Sequence, residues 1–349
     1  MKRLSIRTYL SMGTLLFIAL IVYASRHELI RAWELLAKVD VWVLLLVLPV
    51  VAIGYLAAGE MIFSYLRQKK SIKHISLLTQ MRISMELNFV NHVLPSGGVS
   101  GVSYMNWRLG KLGVKTGRAT MAQFVRYVAG AAAMVVLLVV AVVLVTLDGT
   151  VNRWIILMSC ALVTVMIVAT LLTMYLLKSV TRMNRFAYAV SKIVNTVVKK
   201  VTLGKVKRLI TGEVIAKFLS DVQEDYDQLY KEKHLLVQPF LWGLFFTITE
   251  ICIFSIVFWA LGSPINPAPI LIAYGLASIA GFAIVTPGGA GAYEAVMVLV
   301  LSIAGITQGE AIAGIVLTRA IILFVTIVGG YIFYQHALVV YGKKPKPTL

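Results

Sequence analysis

Charge is scarce in this 349-residue chain: Asp, Glu, Lys and Arg together make up 14%, against about 25% in ordinary globular proteins. Acidic residues are the scarcest, 15 against 33 Lys and Arg. A soluble body this poor in charge and 59% apolar cannot cover its surface with polar groups. That excludes a cytosolic enzyme, a disordered chain and a secreted scaffold. Cysteine is nearly absent. Cys160 and Cys252 both sit in apolar runs, so neither a disulfide framework nor a cysteine zinc site is expected. Also missing are GxxxxGKS/T, HExxH and a dinucleotide fingerprint opening a helix after a strand. No cofactor and no metal are expected.

What is present is long apolar sequence, with a mean hydropathy of +0.87. The expected fold is an all-α polytopic membrane protein. A hydrocarbon core about 30 Å thick needs roughly 20 apolar residues per helix, and 8–24, 41–66, 119–147, 154–177, 238–260 and 311–335 qualify. The first follows Lys2, Arg3 and Arg7 but has no convincing small-residue cleavage site, so it reads as an uncleaved helix. The formal charge of +18 lies in short segments beside the spans, which points to membrane orientation and anionic headgroups. Aromatic-basic interleaving is lacking, so no nucleic-acid partner is expected.

Two more apolar stretches are interrupted, 79–107 at Pro95-Ser-Gly-Gly and 270–306 at Pro287-Gly-Gly. Proline removes a donor and glycine favours irregular backbone, leaving amides that lipid cannot satisfy. Each stretch therefore reads as a hairpin, re-entrant or of two short helices, that returns the chain to the side it came from. With both hairpins returning, the basic segments 67–82, 108–118, 178–237 and the tail fall on one side. The positive-inside rule makes that side cytoplasmic, with both termini. Segment 178–237 is the one sizeable non-spanning piece. Val206, Leu209, Ile210, Val214 and Phe218 recur at helical spacing there, as in an amphipathic helix on the inner leaflet or a solvated connector.

The order of segments repeats with reversed direction: 1–152 with hairpin 79–107, then 153–349 with hairpin 270–306. Inverted repeats of this kind are a common plan of transporters, with a site near mid-membrane where interrupted helices meet. Landmarks follow the repeat. Arg126 lies 31 residues after Pro95 and Arg319 lies 32 after Pro287, while Glu60 and Glu250 precede those prolines by 35 and 37. Ile62-Phe63-Ser64 echoes Ile253-Phe254-Ser255.

Glu60, Glu86, Arg126, Glu250, Glu294 and Arg319 all fall within apolar segments. A charge at the bilayer centre costs about 2.5–3.5 kcal/mol on insertion scales, so these residues should face the bundle interior. One reading is that each Arg is simply neutralised by a Glu. The other is that Arg126 and Arg319 attract an anion, since guanidinium binds phosphate bidentately. Amides freed after Gly97-Gly98 and Gly288-Gly289 would add to such a site, although glycine pairs also serve close helix packing. Asn88, Asn91 and His92 add polar groups before the first break. Gly98-Val99-Ser100-Gly101 is similar to the G-x-S-G of rhomboid proteases. A serine nucleophile needs a partner base, and neither His92 nor His336 is well placed to pair with Ser100.

HVLPSGGVSGVSYMNWRLGKLGV with Arg126 in the next span, and TPGGAGAYEAV with the later Arg319, resemble the transmembrane region of the lysylphosphatidylglycerol synthase/flippase family over about residues 10–340. The resemblance implies a bacterial or archaeal cytoplasmic-membrane protein with two re-entrant segments, moving an anionic or aminoacylated phospholipid between leaflets. The headgroup would be met by Arg126, Arg319, Gly97, Gly98, Gly288, Gly289, Glu60, Glu250, Glu294 and Asn91. The family's soluble aminoacyl-transfer domain has no counterpart before Lys343-Lys-Pro-Lys-Pro-Thr-Leu349, so lysyl transfer is not expected of this chain. Phosphatidylglycerol lysyltransferase and small-solute secondary transport are the alternatives. With no nucleotide motif, the drive would be a gradient, ion coupling or downstream lipid consumption. A homo-oligomer is left open.

Overall fold

A computed structural model describes residues 39–72, 75–93, 99–147, 153–177, 179–201, 232–283 and 291–342, with a few positions between 23 and 37. Among them every regular element is helical. In chain order these are α1 (Val41–Leu45), α2 (Val47–Gln68), α3 (Leu77–Val93), α4 (Val99–Gly110), α5 (Thr116–Leu147), α6 (Arg153–Leu177) and α7 (Val180–Val201). After a 3-10 turn at Lys233–Leu236 come α8 (Val237–Ala260), α9 (Pro267–Ala283), α10 (Ala292–Ile303) and α11 (Gln308–Tyr341).

Among the described residues four stretches are long and apolar enough to cross a bilayer: Val41–Gln68, Thr116–Leu144, Lys233–Ala260 and Gln308–Tyr341. They coincide with four of the expected spans. The expected span 154–177 is the 25-residue helix α6, and 8–24 lies outside the described residues apart from Tyr23. Large apolar side chains such as Leu144, Leu171, Phe324 and Ile332 are exposed on α5, α6 and α11. This is the surface expected where the solvent is lipid tail rather than water.

Both interrupted stretches are helix pairs, α3 packing on α4 and α9 on α10. The breaks themselves, 94–98 and 284–290, lie outside the described residues, as does the expected amphipathic stretch 206–218. Within segment 178–237 it is α7 that alternates basic and apolar arcs. Arg182, Arg185, Lys192, Lys199 and Lys200 share one side of the helix by spacing, and it contains no acidic residue.

Helix ends are set by local chemistry. Asp40 caps α1, its carboxylate accepting from the Trp42 and Val43 amides at 2.9 and 3.3 Å. Gly262 (φ 80°) and Gly305 (φ 91°) end α8 and α10 in the left-handed conformation. The amides of Ser263 and Ile306 then reach back to Phe258 and Leu301, both at 3.1 Å.

α2 and α8 make the most extensive pairing, and α8 packs next most widely on α5. Small residues permit it. A Cβ on Gly54 would stand 3.1 Å from Thr249 Oγ1, and one on Gly243 would stand 3.2 Å from the Ala129 carbonyl. α11 packs along α3, where a Cβ on Gly330 would meet Phe89 Cβ at 2.5 Å and the Met85 carbonyl at 3.0 Å. Backbone cannot yield as a flexible side chain can, so Gly330→Ala is expected to cost about 1–3 kcal/mol by overpacking. A lowered unfolding midpoint in detergent would register it, and an unchanged midpoint would show that α3 and α11 are not apposed this closely.

Burial of charge differs from the expectation at one place. Arg108 was placed by sequence in a basic loop with Lys111, Lys115 and Arg118, yet it lies in the last turn of α4 and is 1% exposed. Its Nε donates to Glu86 at 3.0 Å, and the Tyr104 hydroxyl donates to the same carboxylate at 2.8 Å. Arg82 adds a longer contact of 3.5 Å. The Arg108 guanidinium also lies 4.2 Å from the centroid of the Tyr341 ring, tying the end of α11 to the α3–α4 pair. On the same side, Lys69 Nζ meets Glu232 at 2.6 Å. That hydrogen bond holds the exposed Glu232 carboxyl below the usual carboxylate range, so the link is lost as pH falls through that lowered value.

Candidate functional site

A cavity of about 200 Å³ lies among α2, α3, α5, α8, α9, α10 and α11. Its wall mixes apolar residues, such as Val51, Ala58, Phe246, Phe254 and Ile322, with polar ones. Its polar part includes three charged side chains. Arg126 comes from α5, Glu250 from α8 and Arg319 from α11. These three were picked out by sequence as charges too costly to leave in lipid, and they converge on one cavity from helices far apart in the chain.

Arg319 is held. Its Nε donates to Glu294 Oε1 at 2.7 Å, and its guanidinium lies 4.7 Å from the centroid of the Tyr293 ring. Glu294 has a second task. Its Oε2 accepts from the Gly291 amide at 2.6 Å, capping the first turn of α10 just after the second break. The restart of that helix and the orientation of Arg319 therefore depend on one carboxylate.

Arg126 and Glu250 differ from Arg319. Among the described residues neither has a hydrogen bond or an ion-pair partner. A guanidinium and a carboxylate facing the same small cavity, each without a protein partner, leave donors and an acceptor available to a ligand.

The remaining polar wall is organised by hydrogen bonds that bridge helices. Asn88 Nδ2 donates to Tyr55 Oη at 3.2 Å, and the Tyr55 and Thr326 hydroxyls share a hydrogen bond of 2.7 Å that either can donate. This chain joins α3, α2 and α11. The His92 Nδ1 hydrogen donates to the Asn88 carbonyl at 2.9 Å, because a carbonyl can only accept. Tyr274 and Tyr293 face each other edge-on across the α9–α10 pair, with centroids 6.5 Å apart. Tyr55, Tyr274 and Tyr293 were not picked out by sequence. A tyrosine in an apolar span looks the same whether it lines a cavity or sits at a helix interface.

Other expected site residues are placed elsewhere. Glu60 is 3% exposed and is engaged by both terminal nitrogens of Arg67, one at 3.2 Å, on the same helix. It does not line the cavity. Asn91 packs against Gly101, where a Cβ would stand 2.0 Å from its Oδ1, and that buried oxygen has no hydrogen-bond partner among the described residues. Glu294 acts through Arg319 rather than from the cavity wall. Gly97, Gly98, Gly288 and Gly289 lie outside the described residues. No group of three His, Cys, Asp or Glu suited to a metal occurs among the described residues.

Comparison with known proteins agrees with this architecture. The sequence model described as the lysylphosphatidylglycerol synthase TM region matches residues 10–330. The chain belongs to that family. It is also similar to a UPF0104 membrane protein of the archaeon Methanothermobacter thermautotrophicus, 25% identical over 243 residues, which cover 66% of this chain and 67% of the relative. Membership of the lysylphosphatidylglycerol synthase TM region family, with four helices able to cross a bilayer, makes this a multi-pass helical membrane protein. Both proline-glycine breaks, and the cavity with Arg126, Glu250 and Arg319, fall within the residues that the family match covers.

Proposed function

We propose that this chain is a lipid flippase that moves an anionic or aminoacylated phospholipid between leaflets by alternating access. The observation that carries the reading is the guanidinium of Arg126, which has no hydrogen bond or ion pair among the described residues and shares a cavity with Arg319. A phosphodiester cannot cross a bilayer unaided because its desolvation is too costly, and paired donors along a protected path offset that cost. Arg126 and Arg319 take the phosphate, Glu294 fixes Arg319, and Glu250 balances charge or meets a cationic headgroup. The amides after Gly97-Gly98 and Gly288-Gly289 complete the cradle, while Glu60 and Asn91 act from outside the cavity wall.

Two halves of inverted topology, 1–152 and 153–349, supply the moving parts, with six full spans, two re-entrant hairpins and both termini in the cytoplasm of a bacterial or archaeal cell. The close pairing of α2 with α8 supports this plan, since these helices carry the matched landmarks Glu60 and Glu250. Reconstitution in liposomes with fluorescent phosphatidylglycerol tests the proposal. Transbilayer movement is expected to rise well above that of protein-free vesicles, and equal rates would refute it. Lysyl-lipid formation from charged tRNA by this chain alone would instead establish a transferase.

A further inference from the structure

We infer that Glu250 is the site of a second substrate, a proton, which the cavity loads together with the lipid phosphate on one side of the membrane and releases with it on the other. This rests on the lipid-transport reading and adds to it the coupling ion.

Charge balance carries the inference. Arg126 and Glu250 reach one cavity from α5 and α8, and among the described residues neither has a hydrogen bond or ion pair. Arg319 is neutralised by Glu294 at 2.7 Å. The empty cavity thus holds one positive and one negative charge beyond its internal pair, and these cancel. A phosphodiester brings one further negative charge. Net charge is expensive at membrane depth, and an anion placed beside a carboxylate favours the carboxylate's neutral form. One proton on Glu250 restores balance, and the loaded cavity then matches the empty one in charge. The arrangement describes one proton per lipid monoanion, an electroneutral pair that a pH gradient can drive.

The groups facing Glu250 leave few other places for that proton. From α2, α9 and α10 come the hydroxyls of Tyr55, Tyr274 and Tyr293; from α5 and α11 come Arg126 and Arg319. None of these takes up a proton near neutral pH. α1, which also packs on α8, carries no titratable residue. The 3-10 turn before α8 carries Lys233 and His234, but it lies about 20 Å away along the helix at 1.5 Å per residue. His92 on α3 is the one competitor, since its Nδ1 hydrogen is committed to Asn88 and its second nitrogen is not.

Binding of fluorescent phosphatidylglycerol to the full chain in an uncharged detergent, between pH 5.5 and 8.5, tests the assignment. The lipid's phosphodiester keeps one charge throughout that range. One linked proton changes affinity by up to about tenfold per pH unit, so wild-type affinity is expected to fall at least tenfold from acid to alkaline pH. Glu250→Gln should bind with the acid-limit affinity at every pH, and His92→Gln should keep the slope. A flat wild-type profile, or a slope that persists in Glu250→Gln or vanishes in His92→Gln, overturns the proton site and leaves the transport reading standing. Absence of binding at every pH overturns both. If Glu250→Gln does not fold, the wild-type and His92→Gln profiles still decide.

Discussion

Glu86→Ala is expected to destabilise the protein by about 3–5 kcal/mol, the range for breaking a buried ion pair from one side. Glu86 is 0% exposed and Arg108 1%, so truncating the carboxylate leaves a guanidinium buried beside the Tyr341 ring without its counter-ion. Arg82 cannot substitute, being itself a cation. The Tyr104 hydroxyl would lose its acceptor as well. The loss should register as a large fall in the thermal unfolding midpoint in detergent, and Trp107 fluorescence should change with it, since its ring lies 5.4 Å from Tyr104. Arg108→Ala should cost less, because Glu86 keeps the Tyr104 hydroxyl and the longer contact to Arg82. Glu86→Leu combined with Arg108→Met should recover most of the loss, because apolar residues of similar volume often replace a buried pair at little cost. Additive losses in the double variant would show that the two side chains do not act as a pair.

That pair also marks where sequence reasoning stops. Four of the expected spans were legible because bilayer thickness imposes a length and an apolar content on each one. Interruptions at Pro95 and Pro287 were expected because lipid leaves freed amides unsatisfied, and the helices that flank those outlying residues do pack in pairs. Arg126, Glu250 and Arg319 could be drawn toward one place on the cost of charge alone. Pairing is another matter. Glu60 is satisfied by Arg67, seven residues along its own helix, and Glu86 by an arginine whose neighbours read as a loop. A carboxylate in an apolar run shows that a partner is required but not which one, since tertiary packing chooses among several cations. The cavity's tyrosines carried no signal either. Their part is fixed by partners such as Thr326, 271 residues from Tyr55.

Arg126→Ala is expected to slow phosphatidylglycerol movement in liposomes about thirtyfold or more. Removing one partner of a desolvated, hydrogen-bonded charge pair costs about 2–5 kcal/mol, and in the proposed site that partner is the lipid phosphate. Stability should behave in the opposite way. Arg126 has no hydrogen bond or ion pair among the described residues, so its truncation breaks no direct contact, and the unfolding midpoint should hold. Arg319→Ala provides the contrast, because it strands Glu294 and loosens the cap at Gly291, lowering the midpoint along with transport. Arg126→Lys should recover only part of the rate, since an ammonium keeps the charge and loses the bidentate fork. Transport that survives Arg126→Ala would mean that the lipid takes another path. A midpoint that falls with it would mean that Arg126 holds the bundle together rather than the headgroup.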